Sequence, residues 1–137
     1  MTSLTPPLIT ALATGVLIIL QMLLLFLVVG ARRKAGQSLG DGGHPEVLQA
    51  SRRHGNLAEN AALVLLALAL FETLGGDRRL VEILAGLFVL ARISHAIGLS
   101  LKKTVNPLRV VGVLITIGVG LTLGVRLITI GWSALNL

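Results

Sequence analysis

Four polar residues near the middle of the chain are spaced so that they share one face of an α-helix. They occupy positions i, i+4, i+7 and i+8: Arg52, Asn56, Glu59 and Asn60. Residues at these intervals lie on a common stripe of a helix surface. An apolar run begins at Leu57, and ionisable groups inside such a run mark binding or transport sites when they are not simply paired. The stripe therefore indicates either a ligand site or a buried ion pair.

A second polar stripe lies further along the chain, where Arg92 and His95 are three residues apart. Glu59 follows Arg52 by seven residues, and Arg92 precedes Lys102 by ten. If Arg52 and Lys102 both lie near one membrane surface, the two stripes lie at comparable depth. We therefore expect Glu59 to reach Arg92 or His95. Two interpretations stay open, a structural Glu59–Arg92 ion pair and a site that holds a charged ligand.

The composition indicates that this chain is embedded in lipid. Hydrophobic residues make up 54% of its 137 residues, charged residues 13%, and the mean hydropathy is +0.90. Soluble domains carry about 25% charged residues. The net charge of +6 could suit nucleic acid, but an aromatic content of 3% argues against a base-stacking surface. We expect a single domain, 1–137, with anionic headgroups as the partner of its basic clusters.

Several kinds of site are not predicted. The sequence has no cysteine, which rules out a disulfide framework, a cysteine nucleophile and a thiolate-bound metal. His54 and His95 lie on separate predicted helices without a cluster of ligands, so no metal site is expected. The glycine-rich stretch 40–43 lacks the preceding strand and the lysine of a phosphate-binding loop.

The pattern of apolar runs predicts four membrane-spanning helices. A bilayer core of ~30 Å needs about 20 helical residues, and the first run has 23 residues without a charge. The predicted helices cover about 8–30, 46–74, 80–101 and 108–130. The second begins before its apolar run, with Pro45 tolerated in the first turn. The fold class is therefore all-α, an integral membrane four-helix bundle.

Basic residues are distributed unevenly between the two ends of this bundle. Eight lie in or beside the first and third connections: Arg32, Arg33, Lys34, Arg52, Arg53, Lys102, Lys103 and Arg109. Two, Arg78 and Arg79, lie in the second. Cytoplasmic loops are enriched in lysine and arginine, so we expect both termini on the non-cytoplasmic side.

Two features of the predicted helices point to packing rather than chemistry. Small residues recur at four-residue steps along the fourth helix: Gly112, Thr116, Gly120 and Gly124. Such a ridge lets a neighbouring helix approach closely, either within the protomer or across an oligomer interface. Near the outer face, we expect Arg126 to pair with Glu72 or Glu82, because charges in the membrane usually pair.

Three motifs resemble those of the MAPEG family, the membrane-associated proteins of eicosanoid and glutathione metabolism. Arg52–Glu59 resembles the R-x-H-x-N-x-x-E signature of that family. Ala91–His95 is similar to the third-helix motif of its prostaglandin E synthases, and Asn106–Arg109 resembles its turn into the fourth helix. The Gly-Asp-Gly-Gly stretch at 40–43 looks most like that of a bacterial branch without an assigned reaction.

This resemblance implies a homotrimer that binds glutathione between neighbouring subunits near the cytoplasmic face of a bacterial inner membrane. Arg52, Asn56 and Glu59 would hold the tripeptide, and His95 would line the same site. Arg109 would be the catalytic residue that stabilises the glutathione thiolate. The implied function is that of a glutathione S-transferase or peroxidase. Glutathione would be its co-substrate, and lipophilic electrophiles would reach it from the lipid bilayer.

The sequence also departs from the family pattern, which keeps two alternatives open. It contains no tyrosine, and Asn60 and Leu99 occupy positions where many members have one. Val110 replaces the serine that follows the arginine in prostaglandin synthases, which argues against that isomerase activity. The first alternative is a non-catalytic membrane scaffold in which Glu59 and Arg92 only pin helices together. The second, a small proton-coupled exporter, ranks last because the first helix has no ionisable residue.

Overall fold

The computed structural model describes residues 5–101 and 106–136. These residues form four helices, α1 (Leu8–Ala35), α2 (Pro45–Thr73), α3 (Arg78–Gly98) and α4 (Pro107–Leu135). All four are long and apolar enough to cross a membrane, so the predicted all-α membrane bundle is confirmed. Lys102 and Lys103, which contributed to the predicted orientation, lie outside the described residues.

Helix α1 extends further than its uncharged run. It continues through Arg32, Arg33 and Lys34 to Ala35 and ends at Gly36, whose φ of 66° is left-handed. Glycine adopts this conformation without steric cost, and basic side chains in a last turn interact favourably with the helix dipole. The basic cluster predicted for the first connection is therefore the C-terminal turn of a helix.

Asn106 joins the end of α3 to the start of α4. Its side-chain nitrogen donates to the Gly98 carbonyl at 2.7 Å, and its side-chain oxygen accepts from the Arg109 backbone N–H at 3.1 Å. Asparagine is a favoured N-cap, and Pro107 follows it at the first helical position, where a missing N–H costs nothing. This joint places Arg109 in the first turn of α4, directly against the last turn of α3.

The helices pack so that α2 and α3 form the centre of the bundle. The most extensive contacts join α3 to α4 and α1 to α2, whereas α1 and α4 do not touch within the described part of the chain. Fully buried apolar side chains fill the middle, among them Leu68, Phe88 and Leu123. One end of the bundle gathers the start of α2, the end of α3 and the start of α4.

The two halves of the predicted ridge on α4 have different surroundings. A Cβ added at Gly112 would lie 2.7 Å from the Ala91 carbonyl oxygen and 2.9 Å from the His95 Cβ, whereas Gly120 and Gly124 have no neighbour within 4 Å. Thr116 is buried as well. The first half of the ridge therefore brings α4 close to α3, and the second half makes no such contact within this protomer.

Glu72 stabilises the start of α1 rather than pairing with Arg126. Its buried carboxylate accepts from the Ile9 N–H at 2.9 Å, the Thr10 N–H at 2.9 Å and the Thr10 hydroxyl at 2.7 Å. The first N–H groups of a helix lack internal partners and carry a partial positive charge, so they attract this anion.

The expected pairing of Arg126 with Glu72 or Glu82 is therefore wrong. Glu82 forms its ion pair with Arg78 at 3.0 Å, four residues away on the same helix. Arg126 is exposed and forms no salt bridge with any residue that the structure describes.

Replacing Gly112 by alanine is expected to destabilise the bundle because the new methyl group would overlap the backbone of α3. Overpacking of this kind costs about 1–3 kcal/mol. Gly120→Ala is the matched control, since it lies two steps along the same ridge in open space and alanine favours helix. Thermal unfolding in detergent should show a lower midpoint for Gly112→Ala and an unchanged or higher one for Gly120→Ala. Equal midpoints would contradict the close approach.

Candidate functional site

A cavity of about 460 Å³ opens at the end of the bundle where α2 and α4 begin and α3 ends. It is called the α2–α4 cavity below. Residues of three helices and of the segment after α3 line it: Gln49, Arg52, Asn56, His95, Gly98, Leu99, Leu101, Arg109 and Val113. Its wall thus combines guanidinium and amide groups with an apolar side formed by leucines and a valine.

Four of the five residues predicted to bind a ligand line this cavity together. Arg52 and Asn56 come from α2, His95 from the last turn of α3, and Arg109 from the first turn of α4. The fifth, Glu59, is exposed on α2 and does not line the cavity. The stripe on α2 therefore contributes its two residues nearest the helix start and not its carboxylate.

Gln49 is a lining residue that sequence reasoning missed. It precedes Asn56 by seven residues and Arg52 by three, so it extends the predicted stripe by one turn toward the helix start. Gln49 lies about two turns before the apolar run that begins at Leu57, so the run itself gives no signal for it. Extending the i, i+3, i+7 pattern to the beginning of α2 would have found it.

Arg92 is the polar centre behind the cavity, and it joins three helices. It is 3% exposed. Its Nη1 donates to Asn56 Oδ1 on α2 at 2.9 Å, and its Nη2 donates to the Gly112 carbonyl at 3.2 Å and to the Thr116 hydroxyl on α4. The guanidinium carbon also lies 5.8 Å from the Phe88 ring centroid, within the range of a cation–π contact.

The predicted ion pair between Glu59 and Arg92 is absent among the described residues. The physical reason is the direction of the Arg92 side chain. Because Gly112 lets α4 approach α3 closely, the guanidinium reaches neutral acceptors on α4 and the Asn56 amide oxygen. Glu59 remains exposed, three residues beyond Asn56 on α2. Arg92 is consequently a buried cation whose contacts in the described structure are all neutral.

Arg92 also determines how the Asn56 amide is oriented. Arginine has donors and no acceptor, so the atom of Asn56 that faces it must be the oxygen. This assigns the two ends of an amide that are otherwise hard to tell apart. The Asn56 side-chain nitrogen makes no hydrogen bond within the described structure and is left to donate into the cavity.

The electrostatics of the α2–α4 cavity favour an anionic ligand. Arg52 and Arg109 line it, Arg92 lies directly behind Asn56, and the described lining residues include neither aspartate nor glutamate. Charges in a region of low dielectric act more strongly than in water. No group of three potential metal ligands occurs in the part of the chain that the structure describes. The described lining is therefore equipped to bind anionic groups such as carboxylates.

Comparison with protein families matches the MAPEG family model over residues 10–129. The matched segment includes all the described residues that line the α2–α4 cavity. Comparisons with curated proteins and with solved structures give no match.

The contact between Arg92 and Thr116 is expected to couple α3 to α4 energetically. A double-mutant cycle of Arg92→Leu with Thr116→Val should give a coupling of about 0.5–3 kcal/mol, measured as unfolding free energy in mixed detergent micelles. Thr129→Val is the matched control, because the Thr129 hydroxyl likewise donates to the carbonyl four residues earlier but is exposed and far from Arg92. Additive effects in both cycles would contradict the contact.

Proposed function

This chain belongs to the MAPEG family, and we propose that it binds glutathione in the α2–α4 cavity and transfers its thiolate to lipophilic electrophiles. The observation that supports this function best is the convergence of Arg52, Asn56 and Arg109 on one cavity without an acidic lining residue. The family includes glutathione-dependent transferases and peroxidases as well as members without catalytic activity. The cavity chemistry favours the catalytic members.

The size and donors of the cavity suit a tripeptide with two carboxylates. Its volume of about 460 Å³ falls in the range of about 300–1,000 Å³ that is usual for small-molecule sites. Guanidinium groups bind carboxylates through paired, charge-assisted hydrogen bonds, and Arg52 at the rim offers one. The Asn56 side-chain nitrogen offers a further donor deeper in the cavity.

Arg109 is the residue that we assign to the thiolate. The Asn106 cap and the last turn of α3 hold its backbone in place, and it lies in the first turn of α4, where the helix dipole is positive. A nearby guanidinium and a helix N-terminus both favour a sulfur anion over a thiol. The thiolate would attack the electrophilic carbon and expel its leaving group. In a peroxidase reaction it would instead attack a peroxide oxygen and break the O–O bond, giving an alcohol and a sulfenic acid that a second glutathione converts to the disulfide and water.

We further propose that the protein assembles as a homotrimer in a bacterial inner membrane, with the α2–α4 cavity of each protomer at the contact with a neighbouring subunit. The cavity would face the cytoplasm, with both termini on the opposite side. Six described basic residues lie at the cavity end of the bundle: Arg32, Arg33, Lys34, Arg52, Arg53 and Arg109. Arg78 and Arg79 lie at the other end, where α3 begins. This asymmetry is the pattern that orients membrane proteins.

A non-catalytic scaffold with the same fold is the second candidate. The absence of tyrosine from the sequence favours it, because family members use phenols to hold glutathione. This alternative requires an ion pair between Glu59 and Arg92, and that pair is not formed among the described residues. Measuring binding and turnover separately distinguishes the two candidates.

Glutathione binding is expected to depend on the two lining arginines. Isothermal titration calorimetry of the detergent-purified protein should show binding that weakens about tenfold or more in Arg52→Ala and in Arg109→Ala, because each removes charged hydrogen bonds. Arg79→Ala is the matched control, since Arg79 is exposed at the opposite end of the bundle. An undetectable interaction at millimolar glutathione, or equal losses in all three variants, would contradict the site.

Turnover is expected to depend on Arg109 more steeply than binding does. Arg109→Gln should lower the rate of conjugation of chlorodinitrobenzene about a hundredfold, the scale seen when a donor to a developing charge is removed. The ultraviolet absorbance of the bound thiolate should fall in parallel, whereas Arg109→Lys should retain part of both. Full activity in Arg109→Gln would exclude the assigned role, and binding without any turnover in the wild type would favour the scaffold.

A further inference from the structure

The side-chain amide of Gln49 is oriented by a contact between α2 and the end of α3. Its Nε2 donates to the Leu99 carbonyl oxygen at 2.8 Å. A carbonyl oxygen can only accept, so the nitrogen of Gln49 must face α3 and its Oε1 must face away. Gln49 is half-buried and lines the α2–α4 cavity, and its Oε1 accepts no hydrogen bond within the described structure.

Most other polar groups around the cavity can only donate. Arg52, Arg109 and the Asn56 side-chain nitrogen are donors. The carbonyl oxygens of Gly98 and Leu99 are already engaged by Asn106 and Gln49. His95 can offer one acceptor nitrogen, but it is only 5% exposed. Among the described lining residues, Gln49 Oε1 is thus the accessible side-chain acceptor, and the other polar side chains disfavour a cation.

We propose that Gln49 Oε1 receives the α-ammonium group of the bound tripeptide while Arg52 binds the carboxylate on the same carbon. This role presupposes that the cavity binds glutathione as proposed above. Gln49 and Arg52 are at i and i+3 on α2, about 5–6 Å apart at their Cβ atoms. That spacing suits the two charged groups of one amino-acid zwitterion, one accepted by an amide oxygen and the other held by a guanidinium.

A neutral acceptor at this position is compatible with the chemistry of the sulfur, whereas a carboxylate would oppose it. An anion beside Arg52 and Arg109 would lower the positive potential that favours the thiolate. An amide oxygen accepts from the ammonium without adding charge. Glu59, the carboxylate that sequence reasoning assigned to the ligand, does not line the cavity, so Gln49 takes over the recognition of the ammonium.

The remainder of the ligand then lies along α2 toward Asn56. Asn56 lies seven positions after Gln49, a rise of roughly 10 Å along the helix. Three extended α-linked residues span about 10–11 Å, and the γ-linkage of glutathione adds two methylene groups, so the ligand is long enough to cover this rise. The γ-glutamyl end would therefore lie at the rim beside Gln49, and the glycyl carboxylate would reach the level of the Asn56 donor.

The test compares two ligands on two proteins. The ligands are glutathione and glutaryl-cysteinyl-glycine, which lacks the α-amino group and is otherwise identical. The proteins are the wild type and Gln49→Met, which keeps the side-chain length without the acceptor. Calorimetry on the full chain in detergent should show the wild type binding glutathione about tenfold more tightly than the analogue. In Gln49→Met this preference should disappear while affinity for the analogue is retained, which also shows that the variant folds.

Three results would overturn the role of Gln49. Equal weakening of both ligands by Gln49→Met would make Gln49 a packing residue between α2 and α3. A wild type without a preference for glutathione over its analogue would show that the ammonium is not recognised. Binding of neither ligand to the wild type would remove the proposed function together with this role, whereas the first two results would leave glutathione binding intact.

A second substitution separates ligand binding from thiolate formation. Gln49→Glu should increase the preference for glutathione over the analogue, because a carboxylate attracts the ammonium more strongly. It should also reduce the thiolate absorbance of bound glutathione, because the added anion lowers the potential at the sulfur. A rise in preference with an undiminished thiolate signal would contradict the placement of Gln49 beside the arginines.

Discussion

The hydrogen bonds of Arg92 are the interaction on which the rest of the site depends. A guanidinium that is 3% exposed inside a lipid-embedded bundle requires partners, and here they are an amide, a hydroxyl and a backbone carbonyl. Each partner lies on a different helix from Arg92, so one side chain fixes the mutual positions of α2, α3 and α4. The cavity lies where these three helices meet, and Asn56 is its wall on the side of Arg92.

The same arrangement determines the charge of the site. A carboxylate on Arg92 would have cancelled its charge, whereas neutral acceptors leave a positive potential behind the cavity. Arg52 and Arg109 add to it from the rim and from the first turn of α4. The contribution of Arg92 is the least screened by water, because Arg92 is the one of these three arginines that is buried. This potential favours carboxylates and a thiolate. The uncharged Gln49 oxygen is then the group that we propose accepts a hydrogen bond from the ammonium of the ligand.

The sequence predicts the helices well because their signals are local, whereas the contacts between helices depend on rotation about each axis. The four spans are confirmed, and α2 begins at Pro45, one residue before its predicted start. Helix α1 extends beyond its predicted end, where basic side chains interact favourably with the helix dipole. Counting residues places Glu59 and Arg92 at similar depth but says nothing about the direction in which Arg92 points. That direction depends on Gly112. Because glycine has no side chain, α4 packs close to α3 at this position and brings its acceptors within reach of Arg92. The contact of Glu72 with the start of α1 is likewise distant in sequence, because Glu72 lies 63 positions after Ile9 and 62 positions after Thr10.

The most direct measurement is cryo-electron microscopy of the protein with bound glutathione in a lipid nanodisc. We expect the tripeptide inside the α2–α4 cavity, its sulfur beside Arg109, and Arg92 still bound to Asn56 and Thr116 without a carboxylate. A map in which Glu59 reaches Arg92, with the cavity closed or the tripeptide elsewhere, would contradict it.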